Sequence, residues 1–207
     1  MGMDATAVVA ELADKARLAA RTLIAATNKD RTEVLNRIAE ELQSSEIEIL
    51  AANSEDMARA KEEAMAESMQ DRLLLTSSRI SDMAAGAIQV SKLESPLGKT
   101  LRENTLPNGL HLKQISVPFG VVGMVYEARP NVTVDAAIIL LMSGNAALLR
   151  GSSSAAKSNE VLVKVMRRAL AKTDISPDVI QLVPSDDRSS VEALLHARGK
   201  VDLVIPR

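Results

Sequence analysis

Hydrophobic residues in the first half of the chain recur at the spacing of amphipathic helices. Asp30 followed by Glu33 resembles a capping box in which an acid replaces the usual Ser or Thr. Residues 53–70 are rich in Glu, Lys, Met and Ala, which favours a helix with a solvated charged face. We predict that residues 1–98 form an N-terminal helical segment. Two sets of residues are predicted to form buried helix faces: Val34, Leu35, Ile38, Ala39 and Leu42, then Ile80, Met83, Ala84, Ala87 and Ile88.

A different pattern begins after Ser95-Pro96-Leu97-Gly98. Asn108-Gly109 lies between two short strand-like runs and favours the type I′ turn of a tight hairpin. Leu110 and Leu112 alternate with polar residues, as a half-exposed strand would. We predict that residues 99–117 form a β-hairpin arm, which is a candidate oligomerisation element.

From Pro118 onwards, apolar strands alternate with helices. Four short strands joined by three helices indicate an α/β fold, with right-handed crossovers and a parallel sheet covered on both faces. The pattern stops after a buried-type strand with no covering helix, so we assign residues 118–207 to an incomplete α/β domain. The predicted strands are residues 120–126, 146–150, 179–183 and 201–205, and the predicted helices are residues 132–142, 154–172 and 188–197.

Composition narrows the classes of function that the chain can have. The net charge is −2 and the pI is about 5.8, so no broad basic field exists to bind nucleic acid or an anionic membrane. Phe119 and Tyr126 are the only aromatic residues, which argues against base stacking on single strands. The sequence contains no cysteine, which excludes disulfides, thiolate metal sites and a cysteine nucleophile.

Targeting patterns are weak in this sequence. The start, Met1-Gly2-Met3-Asp4, has neither the basic nor the apolar region of a signal peptide. Met1-Gly2 with Thr6 fits the myristoylation pattern, but no polybasic stretch supports it and we attribute the match to chance. The longest apolar run, residues 136–142, is far shorter than the roughly 20 residues that span a bilayer. We therefore expect a cytoplasmic protein with no membrane partner.

The residues alone offer one candidate ligand site, Arg150-Gly151-Ser152-Ser153-Ser154. It follows a strand and precedes a helix, at the sheet edge where parallel sheets bind ligands, and its hydroxyl and N–H groups suit a phosphate. A glycine turn followed by serine N-caps explains the same residues equally well.

The other polar residues give weaker evidence of a functional site. His111 and His196 form no metal-ligand pattern, and acids adjacent in sequence do not face each other on a helix, so we predict neither a metal site nor carboxylate catalysis. Residues 126–132 place a charged pair and an Asn at the end of an apolar strand. This stretch is either functional or a turn in which Asn131 caps the next helix.

Four stretches of the second half are distinctive. The longest is residues 117–135, VPFGVVGMVYEARPNVTVD, and it is followed by SGNAALLRG at 143–151, QLVP at 181–184 and DLVIPR at 202–207. Together they strongly resemble the gamma-glutamyl phosphate reductases, a family within the aldehyde dehydrogenase superfamily. The resemblance extends more loosely through the helical start and covers about the first half of the family's length.

The resemblance implies an NADPH-dependent reductase that converts L-glutamyl 5-phosphate to L-glutamate 5-semialdehyde in proline biosynthesis. In this family a cysteine thiolate of a second domain attacks the acyl carbon, phosphate leaves, and hydride reduces the thioester. The resemblance therefore implies a chain truncated before the catalytic cysteine and inactive alone. The alternative is a non-catalytic nucleotide-binding or oligomerisation module.

The resemblance also implies binding residues, but no catalytic residue. Ala128 falls where related aldehyde dehydrogenases place an oxyanion-stabilising Asn, so that role is not assigned. Arg129 and Asn131 are the implied substrate residues, since the substrate carries carboxylate and phosphate groups. The implied cofactor residues are Val125, Tyr126 and Glu127 in the cleft wall, Arg150 at the ribose, and Ser185 in the loop near the pyrophosphate. Ser152 and Ser153 belong to the turn at residues 150–154, which we call the serine turn.

The turn that begins at Arg150 also favours NADP over NAD as the cofactor. Arg150 ends its strand, and residues 151–159 contain no acid, so no carboxylate is expected to repel a 2′-phosphate there. In the superfamily match, Ser153 occupies a position where NAD-preferring relatives often carry Glu.

The apolar last strand, residues 201–205, is expected to be covered by a homo-oligomer or by a missing C-terminal half.

Overall fold

The computed structural model describes residues 4–207, and the myristoylation pattern starts at residues 1–3, outside the described part of the chain. The helices are α1 (Ala5–Ala25), α2 (Asn28–Ser44), α3 (Glu46–Glu62), α4 (Glu67–Leu73), α5 (Ser77–Ser91), α6 (Pro130–Met142), α7 (Ala156–Leu170) and α8 (Ser189–His196). The strands are β1 (Thr100–Thr105), β2 (His111–Ile115), β3 (Val121–Val125), β4 (Ala146–Arg150), β5 (Ile180–Leu182) and β6 (Leu203–Pro206).

The predicted parallel sheet is confirmed. Its strand order is β5-β4-β3-β6, and each neighbouring pair runs parallel, with Val125 opposite Arg150 at the end of the β3–β4 register. Helices α1 and α8 pack together on the sheet, as do α6 and α7, so its central strands are buried between helices. This burial explains why β3 and β4 read as continuous apolar runs instead of alternating ones.

The buried faces predicted for the helical segment are also confirmed, with one exception. The apolar set from Val34 to Leu42 is buried on α2, which packs against α5 and α7. On α5 the set is buried from Ile80 to Ala87, whereas Ile88 remains 37% exposed. The two sets therefore face each other across the contact between α2 and α5.

The predicted capping box lies three residues too late. Helix α2 begins after Thr27, whose hydroxyl accepts a hydrogen bond from the Asp30 backbone N–H at 3.2 Å. The Asp30 carboxylate accepts one from the Thr27 backbone N–H at 2.7 Å, so Asp30 is the N3 residue of the box and not its N-cap. The Thr27 hydroxyl also donates to this carboxylate at 2.8 Å, and the two hydrogen bonds that Thr27 donates, first from its N–H and then from its hydroxyl, lower the pKa of Asp30.

Residues 53–70 do not form one uninterrupted helix. Helix α3 ends at Glu62 and α4 starts at Glu67, with Ala64 at φ +51° between them. A left-handed residue cannot continue an α-helix, which explains the break in an otherwise helix-favouring composition.

The hairpin arm is confirmed, but two details of it were predicted wrongly. Asn108 has no positive φ, which a type I′ turn requires; instead Gly109 alone is left-handed, at φ +84°, and its N–H donates to the Leu106 carbonyl at 2.8 Å. Every residue of β1 and β2 is exposed, so Leu112 does not belong to a half-buried face. The antiparallel pairing is therefore not covered by the rest of the described chain.

A link of long sequence separation ties the first helix to the sheet. Arg17 on α1 donates from Nη2 to both carboxylate oxygens of Asp202 at 2.9 Å and to the Lys200 carbonyl at 3.0 Å. Asp202 also accepts from the Val121 backbone N–H at 2.8 Å. One carboxylate thus joins α1, the start of β3 and the segment that leads into β6.

Candidate cofactor site and adjoining cavity

The carboxyl ends of β3 and β4 meet at one edge of the sheet, where open parallel sheets bind ligands. The Tyr126 backbone N–H donates to the Arg150 carbonyl at 3.1 Å, which keeps the two chains together beyond the last paired residues. A Cβ at Gly151 would lie 2.3 Å from Asn159 Nδ2 and 2.9 Å from the Tyr126 ring, so only glycine fits there without a shift. The close approach brings the serine turn next to the end of β3.

The Tyr126 side chain is buried beneath this edge. Its hydroxyl forms a 2.7 Å hydrogen bond with Thr133 Oγ1, and Thr133 donates to Asn159 Oδ1 at 2.7 Å. Burial raises the pKa of Tyr126 to about 12, so the phenol is neutral at physiological pH. The side chain therefore connects β3 to α6 and α7.

Arg150 and Ser185, both predicted cofactor residues, lie together in the structure. Arg150 Nη2 donates to the carbonyls of Ser185 at 3.4 Å and Asp187 at 3.1 Å. Its Nε donates to Ser190 Oγ at 3.3 Å and its Nη1 to the Gly151 carbonyl at 3.1 Å. Burial lowers the pKa of Arg150 from its usual value. All three guanidinium nitrogens are therefore engaged by oxygen atoms of the protein.

The serine turn contains one of the predicted N-caps. Ser152 Oγ accepts a hydrogen bond from the Ser154 backbone N–H at 3.2 Å and caps a short 3-10 turn that leads into α7. Ser153 is exposed, and Ser152 is half-buried. The capping role of Ser152 leaves the exposed Ser153 hydroxyl as the freer group of the two.

A carboxylate does lie beside this turn, contrary to the expectation from the sequence. Asp56 on α3 is fully buried and accepts hydrogen bonds from the backbone N–H groups of Lys157 at 3.2 Å and Ser158 at 2.8 Å. It also accepts from Ser158 Oγ at 2.7 Å and forms a 2.7 Å ion pair with Arg59. The first N–H groups of α7 are therefore already bonded and cannot serve a phosphate.

Sequence reasoning missed Asp56 and Arg59 because they are about a hundred residues from the turn in sequence. A signal was present, since polar Asn53 and Asp56 fall on the same buried face of α3 as Ile49 and Ala60. Asn53 accepts from the Leu75 backbone N–H at 2.8 Å and donates to Ser158 Oγ at 3.0 Å. Buried polar residues on an apolar helix face indicate specific partners elsewhere in the fold.

The predicted substrate residues Arg129 and Asn131 line one cavity of about 410 Å³ at the start of α6. Asn131 Nδ2 donates to Asp135 Oδ2 at 3.1 Å, and burial raises the pKa of Asp135. Asn131 lies inside α6 and Arg129 is its N-cap residue, so the alternative in which Asn131 caps this helix is wrong. The cavity lining comprises Asp71, Arg72, Leu74, Leu75, Arg79, Asp82, Met83, Arg129, Asn131 and Asp135.

The charges of this cavity are of both signs, and part of them is already paired. Arg79 is held by Asp71 at 3.1 Å, and Arg72 lies 3.8 Å from the exposed carboxylate of Glu127. Within residues 4–207, Arg129 and Asp135 form no ion pair with another side chain. Among the described residues Asp82, on α5, has no ion-pair partner either, so one cation and two carboxylates of the lining remain available to a ligand.

The remaining residues have simpler surroundings. Val125 is half-buried at the end of β3, and Ala128 is buried before α6. His111 is bonded to Thr105 in the hairpin at 2.9 Å, and His196 ends α8. In the described part of the chain, no three His, Cys, Asp or Glu side chains are grouped to hold a metal ion. No described helix combines the length and the apolar character needed to cross a membrane.

The fold and the sequence define the class of protein. The model of the aldehyde dehydrogenase family matches residues 3–205, and the chain belongs to this family. Its relatives include the gamma-glutamyl phosphate reductase of Thermobifida fusca (strain YX), which is 49% identical over 96% of this chain and 48% of the relative. The crystal structure of gamma-glutamyl phosphate reductase from Thermotoga maritima superposes with a TM-score of 0.93 at 38% identity, over 96% of this chain and 48% of that one.

More distant structures share the fold alone. The glyceraldehyde-3-phosphate dehydrogenase of Methanocaldococcus jannaschii, complexed with NADP, matches 96% of this chain and 41% of its own with a TM-score of 0.67 at 15% identity. The α/β part of the present chain is thus part of the doubly wound sheet of the aldehyde dehydrogenase fold. The chain spans about half the length of the curated relatives it matches.

Proposed function

We propose that this chain forms the cofactor-binding part of an NADPH-dependent reductase of L-glutamyl 5-phosphate, with the cytoplasm as its compartment. The reaction yields L-glutamate 5-semialdehyde in proline biosynthesis. The observation that carries the proposal is 46–49% identity, over nearly the whole chain, to two gamma-glutamyl phosphate reductases. Similarity at this level supports a shared substrate class.

The sheet edge fits a dinucleotide that carries an additional phosphate. Gly151 brings the serine turn close to the end of β3, Ser152 and Ser153 add hydroxyl groups there, and Arg150 holds the end of β4 against residues 185–190. We assign residues 125–127 to the adjoining wall of the cleft, and the Ser185 loop to its far side. NADPH supplies the hydride of this reaction when bound, and these residues bind and orient it.

The chain supplies no cysteine thiolate for the covalent step. The acyl carbon of the substrate must lose phosphate and accept a hydride, and a thioester with a cysteine divides this conversion into two easier steps. The sequence has no cysteine. We therefore place the thiolate in a part of the enzyme that corresponds to the unmatched half of the relatives, and we expect no turnover by this chain alone.

The cavity at the start of α6 suits the amino acid part of the substrate. We assign the carboxylate of the substrate to Arg129, its ammonium group to Asp135, and a hydrogen-bonding role to Asn131. The support is the pairing pattern, because Arg129 and Asp135 lack an ion-pair partner in the described chain whereas Arg79 is bound by Asp71. Asp82 is unpaired as well but lies on α5, whereas Asp135 lies on α6 beside Arg129 and Asn131. A half-buried carboxylate with a raised pKa is stabilised by a cationic ligand.

The hairpin favours a second candidate role in oligomerisation. Leu101, Leu112 and Ile115 are 63%, 47% and 51% exposed in a two-stranded sheet, which is marginally stable by itself. We propose that a second copy of the chain covers the hairpin in a homo-oligomer. A non-catalytic oligomerisation module would use the same surface without binding a nucleotide.

The proposal is tested on the 207-residue chain by calorimetric titration with NADP⁺ and by a reverse-direction assay. The assay contains L-glutamate 5-semialdehyde, phosphate and NADP⁺, and NADPH formation is monitored. We expect saturable NADP⁺ binding and no NADPH above the buffer blank. The Ser153→Glu variant serves as a matched control, since its added carboxylate should weaken binding of the phosphorylated cofactor.

The two outcomes against the proposal are distinct. Turnover above the blank contradicts the need for a cysteine from elsewhere. A folded chain that does not bind NADP⁺ contradicts the assignment of the sheet edge and favours the oligomerisation module.

A further inference from the structure

We propose that Arg59, on α3 of the helical segment, binds the 2′-phosphate of NADP and determines the preference for this cofactor. The inference rests on the proposed cofactor function, because it concerns the same sheet edge. It differs from the expectation from the sequence, in which Arg150 provides the guanidinium for that phosphate. Two observations distinguish the two arginines: which of their nitrogens are free, and how each side chain is held.

The Arg59 guanidinium lies against the serine turn with part of its donors unused. Its Nη2 donates to the carbonyls of Ser153 at 3.0 Å and Ser154 at 3.3 Å, and to Asp56 at 2.7 Å. Nε and Nη1 make no hydrogen bond to the described residues, and the side chain is 39% exposed. A planar group with free donors beside the exposed Ser153 matches the geometry by which arginine binds phosphate.

Arg150 is less available at the same turn. Each of its three nitrogens already donates to an oxygen atom of the protein, and these bonds tie the end of β4 to residues 185–190. Reorienting Arg150 towards a phosphate would break such bonds and leave partly buried acceptors unsatisfied. Its position therefore favours organising the loop over providing the main phosphate contact.

Asp56 holds Arg59 in place and removes a competing phosphate site. The carboxylate is fixed by the backbone N–H groups of Lys157 and Ser158, so the ion pair positions the guanidinium before any ligand arrives. A side chain that is already ordered loses less conformational entropy on binding. Because Asp56 occupies the start of α7, a 2′-phosphate must obtain its donors elsewhere, and the exposed Ser153 hydroxyl and the free nitrogens of Arg59 lie at this turn.

The test uses two adenosine ligands that differ only in the phosphate concerned. Adenosine 2′,5′-bisphosphate and adenosine 5′-monophosphate are titrated calorimetrically into the 207-residue chain and its Arg59→Gln variant. We expect the variant to bind the bisphosphate about tenfold to hundredfold more weakly, the range for one hydrogen bond to a charged group, with affinity for the monophosphate unchanged. Arg37→Gln is the matched control, since Arg37 is a partly exposed arginine of α2 paired with Glu33, and it should change neither affinity.

A second variant covers the case in which Arg59→Gln leaves Asp56 without a partner and the chain does not fold. The Asp56→Asn/Arg59→Gln double variant removes both charges and retains an oxygen acceptor for the N–H groups of α7. We expect it to fold, as judged by circular dichroism, and to show the same selective loss.

The outcomes separate this inference from the proposed function. Equal weakening of both ligands by the folded variants shows a structural role for Arg59 and overturns the inference, as does unchanged bisphosphate affinity. In both of these cases a parent chain that prefers the bisphosphate still supports the NADP function. A parent chain without that preference overturns the NADP assignment itself and the inference with it.

Discussion

Strands β4 and β2 have the same length but contrasting surroundings. Strand β4, Ala-Ala-Leu-Leu-Arg, has four of its five residues buried between helices, whereas every residue of β2, His-Leu-Lys-Gln-Ile, is exposed. Hydrophobic burial therefore stabilises the sheet directly, while the hairpin depends on its antiparallel hydrogen bonds and turn. Within the described chain, the same secondary structure thus forms the core in one region and an uncovered surface in the other.

Electrostatic contacts do not compensate for the lack of cover on the hairpin. Its ion pair between Glu103 and Lys113 has an N···O distance of 3.3 Å, and both side chains are more than half exposed. Exposed pairs of this kind contribute little, because water and salt screen them. The contrast between sheet and hairpin can therefore be measured by changing one leucine in each.

The largest effect is expected for Leu148→Ala in β4. Leu148 is fully buried, so its truncation removes apolar contacts and leaves a cavity, which lowers the free energy of unfolding by about 2–5 kcal/mol. The matched variant Leu112→Ala in β2 should change it by about 0.5 kcal/mol or less, since that side chain is 47% exposed. Urea denaturation followed by circular dichroism measures both values. Similar losses in the two variants would show that the hairpin is covered and would abolish the distinction.

A smaller effect is expected at the carboxyl edge of the sheet at alkaline pH. The pKa of buried Tyr126 is raised to about 12, above the value of about 10 for an unfolded chain, so the folded state holds the phenolic proton more tightly. The corresponding stability is complete below pH about 10 and is lost as the pH rises towards 12, about 2–3 kcal/mol in all.

Denaturation between pH about 9 and 12 measures this loss, with Tyr126→Phe as the control that should lack the tyrosine contribution. Tyr126 is the only tyrosine and the chain has no tryptophan, so near-UV absorbance reports its ionisation without interference. A phenol that titrates near its ordinary pKa in the folded protein would show that this edge is open to water.

The smallest effect on folding, and the clearest effect on association, is expected for Leu112→Lys. The substitution adds a charge to the exposed hairpin and should change the free energy of unfolding by about 0.5 kcal/mol or less. It should shift the chain towards the monomer in light scattering, because a charged residue resists burial against a second copy. Leu18→Lys on α1, where the leucine is 65% exposed, is the control. Equal changes in scattering by both variants, or none, would contradict association through the hairpin.

Much of the fold follows from sequence patterns that extend over several turns or strands. The apolar faces of α2 and α5 and the alternation after Pro118 were predictable because burial imposes a regular period on many residues at once. Details of the fold that depend on one or two residues were not predictable from such patterns. The type I′ prediction from Asn108-Gly109 failed because the structure places Pro107 and Asn108 in a turn ahead of a single left-handed Gly109. The Asp30 box failed because Thr27 provides a better cap.

The candidate site likewise contains some residues that were predicted from the sequence and others that were not. Arg150 and Ser185 were assigned together through the family resemblance, and the structure places them in contact. Asp56 and Arg59 were not predicted as site residues, because α3 lies beside the serine turn only as a result of its packing against α7. Local pattern and spacing contain no information on such a contact, and composition near the turn suggested that acids were absent. Tertiary packing, here a buried carboxylate at a helix start, decided the electrostatics of the site.

The bond between Arg17 and Asp202 has a consequence for the timing of folding during synthesis. Arg17 on α1 leaves the ribosome long before its partner, the Asp202 carboxylate, which is translated 185 residues later. The strands on which α1 packs also follow the whole helical segment. Contacts of such long separation slow folding, since a long loop must close before they form. The apolar face of α1 must therefore stay exposed or transiently covered until the sheet emerges, and chaperones can bind the nascent chain during that interval.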